Sequence, residues 1–568
     1  MQRIASLLLV ALVSSLPKIS LACGGFFCQF TPIVQAGEQI IFNQQGNDIS
    51  AMVRIFYQGD AENFSWVVPV PASLELDGGV DVGSDTTFTE LDGATRPQFL
   101  LDQQGDGCPI DFPVAISDVD VSESVADSAD GGISVEETTV GPFDVQLVSS
   151  ENPDAMAMWL EDNDYDLTDR GRELIEPYVL DGMKFVGLKL RSGQSSGSIQ
   201  PVILRYQSDK PMIPIRLTAI AALEDMGVLV WITGPSRAVP DNYLHVVPNY
   251  TRLNWYAGVQ NAYASYQTLV TEAMNDAGGQ GFATDMATPL DGDILSRMTT
   301  AEGLQAQLAT LQDTTTDSGF VAGLANLAPI GAFQDELQRV LPLPQGESTF
   351  IYFDAGRLAQ VFNADTLAGA RNTLADSFQR IEIDPINASM ALLPGGSYLT
   401  RLFTTLSADE MTLDPTFDYN GQMADQSVER RATLRAECTD NGTEWTLTLG
   451  AGTGREGEVV IDAAGDIPFF GPVPVEVNDQ AATFTIERTT AAALPDVTDQ
   501  STFSVVAING GSSSAVDNGS SVGGIGGVDT GVSTGGEISS GGGSGGITWY
   551  LGLLALVALR TRSTAGRR

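Results

Sequence analysis

The N-terminal segment constrains this chain most, because it separates a leader that is removed from a body that folds. Arg3 precedes an apolar run over residues 4–13, and residues 20–22, SLA, supply the small-x-small pattern read by signal peptidase. The apolar run is too short and wrongly flanked for a stable membrane span. The pattern therefore predicts a signal peptide over residues 1–22, export of the mature chain, and signal peptidase as a processing partner.

The cysteines indicate an oxidising compartment. Cleavage after residue 22 makes Cys23 the first mature residue, in the run CGGFFC that ends at Cys28. These two cysteines can close a small disulfide ring; lipidation of Cys23 is the alternative, although it normally requires an aliphatic residue where Ser20 stands. Cys108 and Cys438 are the other disulfide candidates, and four cysteines allow three connectivities. With one histidine and no CxxC spacing, the sequence predicts no metal site.

Charge excludes one large class of partners. The chain has 568 residues, with 29 Lys and Arg against 72 Asp and Glu, a formal net charge of −43. Nucleic acids and anionic membrane surfaces are bound by clustered cations, so neither is an expected partner. Such an acidic surface is typical of proteins that stay soluble in a salty medium. Dedicated binding of cations is the alternative interpretation. The length is sufficient for two or three domains.

The body reads as a mixed, β-rich α+β domain over residues 23–420. Strands are predicted at residues 39–42 and 49–57, joined by a turn at 43–47. The other main strand predictions are residues 64–71, 143–148, 183–190, 199–206, 212–222, 227–233 and 243–247. Helices are predicted at residues 87–95, 154–161, 168–179, 265–276, 300–311 and 333–341. An acidic stretch poor in apolar residues, 117–139, is predicted to be a flexible insert.

The pattern changes after residue 420. Short β-branched runs separated by Gly, Asp and Asn occupy residues 426–508. They predict a small β-sandwich-like domain, and pairing with the main sheet is the alternative.

The C-terminal end has three parts. Residues 510–546 are a Gly/Ser-rich linker, predicted to be a disordered tether, and residues 547–559 form a single apolar helix. Residues 560–568 contain four arginines. The apolar part falls short of the ~20 residues of a comfortable membrane span. The order of these parts, with GGGSGG at residues 541–546, resembles the GlyGly-CTERM sorting signal. That resemblance implies a rhombosortase-like protease as a partner and transient membrane anchoring before cleavage; a plain anchor is the alternative.

The motifs together resemble the bacterial domain-of-unknown-function family 2330. The matching stretches are residues 23–28, 64–71, 211–219, 225–228, 237–240, 242–243, 245, 254–256, 277–280 and 402–420. The resemblance covers roughly residues 23–420. It implies an exported bacterial protein at the outer surface or outside the cell. The family has no known activity, so no catalytic residue is carried over.

Two weak catalytic patterns remain. Residues 234–238, GPSRA, are one glycine short of a nucleophile elbow, and Ser236 with His245 would then serve an extracytoplasmic hydrolase. An elbow needs a helix after the serine, however, whereas the following Val-Pro favours extended chain, so a structural histidine is the competing interpretation. Among many carboxylates, Asp409, Glu410 and Asp414 are the most suggestive set, although N-capping acids in a turn explain them as well.

No cofactor is predicted, because phosphate-cradling glycine loops and calcium-loop patterns are absent from the sequence. Trp66, Trp159, Trp231 and Trp255 indicate either core or a hydrophobic groove. The sequence therefore favours a non-enzymatic, surface-displayed binding or structural protein that is processed at its tail. The competing class is a hydrolase that uses Ser236 and His245 or paired carboxylates.

Overall fold

A computed structural model of the chain describes residues 34–499 except 59–63, 106–134, 164, 166, 192–198, 256–257, 315, 441, 455, 458, 465–483 and 491–492. All described residues belong to one compact unit, Met1–Ser512. The signal peptide, the tail predictions over residues 510–568, most of the insert, and Cys23, Cys28 and Cys108 lie outside the described residues. The described part is mixed α+β and β-rich, which confirms the predicted fold class.

The strands, in chain order, are β1 (Val34–Gln45), β2 (Asp48–Gln58), β3 (Ser65–Val70), β4 (Val80–Val82), β5 (Gln98–Gln104), β6 (Val135–Val140), β7 (Phe143–Val148), β8 (Lys184–Leu190), β9 (Val202–Gln207), β10 (Ala222–Gly234), β11 (Ala238–Pro240), β12 (Leu244–Pro248), β13 (Gly281–Pro289), β14 (Tyr398–Leu406), β15 (Phe417–Tyr419), β16 (Glu429–Thr439), β17 (Gly442–Leu449), β18 (Val459–Ala464), β19 (Phe484–Thr490) and β20 (Ala493–Asp499).

A ten-stranded sheet forms the centre, in the order β20-β19-β12-β13-β14-β10-β1-β2-β9-β4. Its β1–β10 and β12–β13 pairs are parallel and its other pairs are antiparallel. A four-stranded antiparallel sheet, β3-β8-β7-β6, packs its apolar side chains against β4 and β9. The remaining strands form a four-stranded sheet, β18-β17-β16-β5, and a two-stranded sheet, β11-β15. Apolar residues therefore cover both faces of the central sheet, as the nearly continuous apolar run of β10 requires.

The helices are α1 (Leu76–Gly79), α2 (Asp85–Thr95), α3 (Pro153–Asp162), α4 (Asp169–Leu180), α5 (Ile215–Thr218), α6 (Gly258–Asp276), α7 (Gly292–Leu295), α8 (Ala301–Thr314), α9 (Asp317–Leu327), α10 (Ala332–Val340), α11 (Ala355–Val361), α12 (Ala364–Phe378) and α13 (Asp384–Met390), with a π-helical turn at Gln379–Ile383 and 3₁₀ turns at Tyr250–Arg252 and Thr349–Phe353. Helices α7 to α13 are inserted between β13 and β14, and most of them share a core of their own. At its centre Phe333 and Phe378 meet edge to face at 5.1 Å.

Strands β16 and β19, within residues 426–508, each pair with a strand from an earlier part of the chain. β16 pairs in parallel with β5, from Gln98 opposite Glu429 to Gln104 opposite Arg435, and β19 pairs with β12 of the central sheet. Without these later strands β5 would have no strand neighbour and β12 would be an edge strand, and the backbone groups that the later strands now pair would be left unpaired. β19 and β20 thus extend the main sheet, as the alternative expected, whereas β16, β17 and β18 form a sheet of their own with β5.

The predicted strand at residues 212–222 is replaced by a single bridge at Met212 and the short helix α5. Pro211 and Pro214 each lack an N–H donor, which breaks the hydrogen-bonding ladder of a strand. The predicted hairpin at the N-terminus is present as β1 and β2. The end of the predicted insert, by contrast, is ordered as strand β6, which pairs with β7.

Candidate ligand-binding cleft

An apolar cleft lies between the central sheet and the second sheet. Its floor comes from β1, β2 and β9, one wall comes from β3, and the segment 208–218 borders it. The space not filled by atoms, including the part open to solvent, is about 770 Å³.

Strand alternation explains why the floor is apolar. Successive side chains of a strand point to opposite faces, so residues two apart share one face. The cleft face of the floor consists of Ile40 and Phe42 from β1, Ala51 and Val53 from β2, and Leu204 and Tyr206 from β9. The wall adds a half-buried Trp66 and the proline-rich run at residues 67–71.

Glu38 is the exception on this apolar floor. It belongs to the same β1 face as Ile40 and is only 6% exposed. Its one side-chain hydrogen bond comes from Gln35 Nε2, which donates to Glu38 Oε2 over a long 3.3 Å. Burial raises the pKa of Glu38 to about 7, although the Gln35 hydrogen bond opposes the rise. At neutral pH the carboxyl is therefore close to half ionised.

An irregularity in β1 brings Gln35 to the same side as Glu38. Residues three apart in a regular strand face opposite ways, but the pairing register of β1 shifts between Gln35 and Gly37 against both β2 and β10. Such a bulge re-aims the side chains beside it. As a result both side chains line the cleft.

Lys210, the second charged residue that lines the cleft, lies toward the end opposite Glu38. Glu38 pairs with Ile55 of β2, whereas Tyr206 pairs with Ile49, so roughly 20 Å of strand separates the two rows. Lys210 follows β9 beyond Tyr206, and its Nζ contacts Asp241 at 2.9 Å and Asp418 at 2.8 Å. Although partial burial opposes it, these two acids raise the pKa of Lys210. The positive charge of Lys210 is thus already compensated.

The other buried charges of the core contrast with Glu38. Arg401 is fully buried and contacts Asp285 at 2.9 Å and Asp92 at 2.8 Å, while Tyr266 donates to Asp285 at 2.6 Å. Burial opposes ionisation of Asp92, but the charges of Arg401 and Arg96 lower its pKa. Buried charges in proteins normally have such partners. Glu38 has no ion pair with any described residue.

The structure does not bring Ser236 and His245 together as a nucleophile and base. His245 is buried in β12, and its Nε2 lies 3.0 Å from Thr284 Oγ1. Ser236 lies in the bend between β10 and β11, beside Gly421, and no hydrogen bond joins it to His245 in the described part of the chain. The bend leads into strand β11 rather than into a helix.

The acidic set at residues 409–414 is occupied in structural contacts. Asp414 accepts hydrogen bonds from Arg216 Nε at 2.8 Å and from Tyr178 at 2.8 Å. Glu410 accepts the backbone N–H of Ser407, three residues earlier, at 2.7 Å, within a turn that no helix follows. Burial raises the pKa of Glu410, and the nearby acids Asp409 and Asp225 add to the rise.

Within the described ranges, no group of three or more His, Cys, Asp or Glu side chains is placed to hold a metal ion. In the same ranges no helix combines the length and apolarity that a membrane crossing requires. Cys438 lies in β16, whose neighbour β5 ends at Gln104 opposite Arg435. Of the four tryptophans named from the sequence, Trp159, Trp231 and Trp255 are buried in the core, and Trp66 lines the cleft.

The sequence did not single out Glu38. The predicted first strand begins at residue 39, one position after Glu38, so the prediction does not place this acid on either face of the strand. The available signal was the alternation of Glu38, Ile40 and Phe42, which places a carboxyl among core-facing positions.

These features define the class: an α+β protein whose central sheet forms the floor of an apolar cleft that contains a buried carboxyl. The family model for "Uncharacterized protein conserved in bacteria (DUF2330)" matches residues 17–313, more than half of the chain, and the chain belongs to this family. The match contains every residue of the cleft, whereas residues 402–420, also counted in the sequence resemblance, lie beyond it. No curated protein and no solved structure matches the chain.

Proposed function

We propose that this protein is an exported, non-enzymatic binding protein that takes a small, largely apolar ligand into the Glu38 cleft. The observation that carries the proposal is the cleft itself, whose floor and wall are built from aliphatic and aromatic side chains with few polar groups. Concave apolar sites with a small number of placed polar groups are the usual form of small-molecule sites.

Export and tail processing are the second part of the proposal. They are supported by the leader at residues 1–22 and by the glycine-rich, apolar and basic order of residues 510–568. A rhombosortase-like protease would cut near residue 546 and release the body or leave it at the cell surface. The two cysteine pairs that fit this location are Cys23 with Cys28 and Cys108 with Cys438.

The binding proposal is tested with hexan-1-ol as the probe and the mature chain as the protein. Burying six carbons contributes about 5 kcal/mol at most, which corresponds to a Kd no tighter than about 0.3 mM. Isothermal titration calorimetry should show saturable binding at one site with a negative heat-capacity change.

Thr218→Trp is the informative variant. Thr218 lines the cleft near its Glu38 end. The backbone N–H of Ala221 donates to Thr218 O, and Ala221 O accepts from the N–H of Gln35, which places Thr218 close to Gln35. The indole should fill the space and weaken hexanol binding at least tenfold. Thr268→Trp, on the exposed face of α6, is the matched control and should bind as the wild type does. Equal affinity in the Thr218 variant, or no saturable binding by the wild type, contradicts the proposal.

A further inference from the structure

We infer that the cleft selects ligands in which a short aliphatic chain or single ring ends in a protonated amine, and that Glu38 receives the amine. This inference rests on the proposed binding function and adds the chemistry of the head group to it.

The hydrogen-bonding capacity of Glu38 is largely unused within the described residues. An ionised carboxylate accepts up to about four hydrogen bonds, and Glu38 accepts one long bond, at Oε2. Its Oε1 has no partner among the described residues although the side chain lines the cleft. A ligand ammonium offers three donors and a compensating charge, which is what a buried carboxylate lacks.

The surroundings of Glu38 favour a cation over other ligands. Ile55 lies opposite it on β2, and the residues that β3 and α5 contribute to the cleft lining, among them Trp66 and Leu217, carry no charge. Lys210, the other charged lining residue, is held by two acids at the far end and does not compensate Glu38.

A ligand carboxylate is disfavoured by the same geometry. It would be buried against Glu38 without a cation between them, and like charges at short range in a water-poor site repel strongly. The protein as a whole, at a net charge of −43, also attracts cations and repels anions. The apolar floor therefore recognises the hydrocarbon part of the ligand, and Glu38 recognises its head group.

The test compares three probes with the same six-carbon body: hexylamine, hexan-1-ol and hexanoate, titrated into the mature wild-type chain at pH 8 and 150 mM salt. We expect hexylamine to bind at least tenfold more tightly than hexanol, and hexanoate to bind most weakly. Glu38→Gln should lose the preference for the amine and retain hexanol binding, which also shows that the variant is folded. Glu75→Gln, which removes an exposed acid, should keep the wild-type preference.

The outcomes separate the two proposals. If the wild type binds all three probes equally, the cleft has no preference for an amine and the inference is wrong. If the Glu38 variant still prefers hexylamine, the preference comes from the general surface charge and the inference is again wrong. In both cases the binding function stands. If no probe binds saturably, the inference and the proposed function both fail.

Discussion

Replacing Glu38 by Gln should stabilise the protein at alkaline pH and have little effect at acidic pH. Burial raises the pKa of Glu38 from an ordinary value of 4.5 to about 7. Below pH 4.5 the carboxyl is protonated in both the folded and the unfolded chain, so its ionisation does not lower the free energy of unfolding. As the pH rises toward 7, only the unfolded chain releases the proton, and the folded state loses stability relative to it. The difference corresponds to about 3 kcal/mol above pH 7.

The assay is the melting temperature of both proteins, measured by circular dichroism from pH 4 to pH 8.5 in matched buffers. Taking the difference between variant and wild type at each pH cancels the titration of the other acids. The difference should rise by several degrees across this range and level off above pH 7. Glu75→Gln, which removes the same charge from an exposed site, should show no comparable rise. A difference that is constant with pH, or that falls, would refute the assignment of Glu38 as a buried carboxyl without a counter-charge.

Three further outcomes are expected. Arg401→Met leaves two buried carboxylates without their cation and should destabilise the fold by about 3–5 kcal/mol, whereas Arg435→Met, at an exposed ion pair, should leave the melting temperature nearly unchanged. Cys108 follows Gln104, the last residue of β5, by four positions, and Gln104 pairs with Arg435, three positions before Cys438. Non-reducing peptide mapping should therefore link Cys108 to Cys438; a link from Cys438 to Cys23 or Cys28 would contradict the register argument. Deleting residues 547–568 should release the body as a soluble protein with an unchanged melting temperature. If the mature protein retains its C-terminal arginines, the tail is not cleaved and is an ordinary membrane anchor.

Local features of the fold were accessible from the sequence because they depend on short-range chemistry. The hairpin of β1 and β2 follows from two β-branched runs around a turn, and Gly46 in that turn has a φ of 64°, which glycine adopts without strain. Thr168, the first residue of the helix predicted at 168–179, caps α4 by accepting the N–H of Gly171 at 3.1 Å. Each depends on residues within a few positions of one another.

Strand order was not accessible, because it depends on pairings between distant segments. β10 lies parallel to β1, and β5 lies parallel to β16, across long stretches of intervening chain. The hydrophobic pattern of each strand indicates that the strand is buried, but it does not indicate which strand pairs with it. In the same way, the pattern of residues 426–508 did not indicate that β16 pairs with β5 and β19 with β12.

The cleft combines both difficulties. Its lining comes from strands and from the segment 208–218, where a strand was expected and two prolines impose a bridge and a short helix instead. The side of β1 on which Gln35 lies depends on a bulge, and one extra residue changes which side chains share a face. A pattern with a period of two residues cannot report such a shift.

The buried acid connects stability with binding. Glu38 costs the ligand-free protein stability at pH 8, and an amine seated against it would remove that cost by supplying the missing charge and donors. Glu38→Gln should therefore have opposite effects in one experiment: a higher melting temperature without ligand, and a smaller rise when hexylamine is added. Hexanol should raise the melting temperature of both proteins by similar amounts, because it depends on the apolar floor. If the variant is more stable and also gains as much from hexylamine as the wild type, the burial of Glu38 is unrelated to ligand recognition.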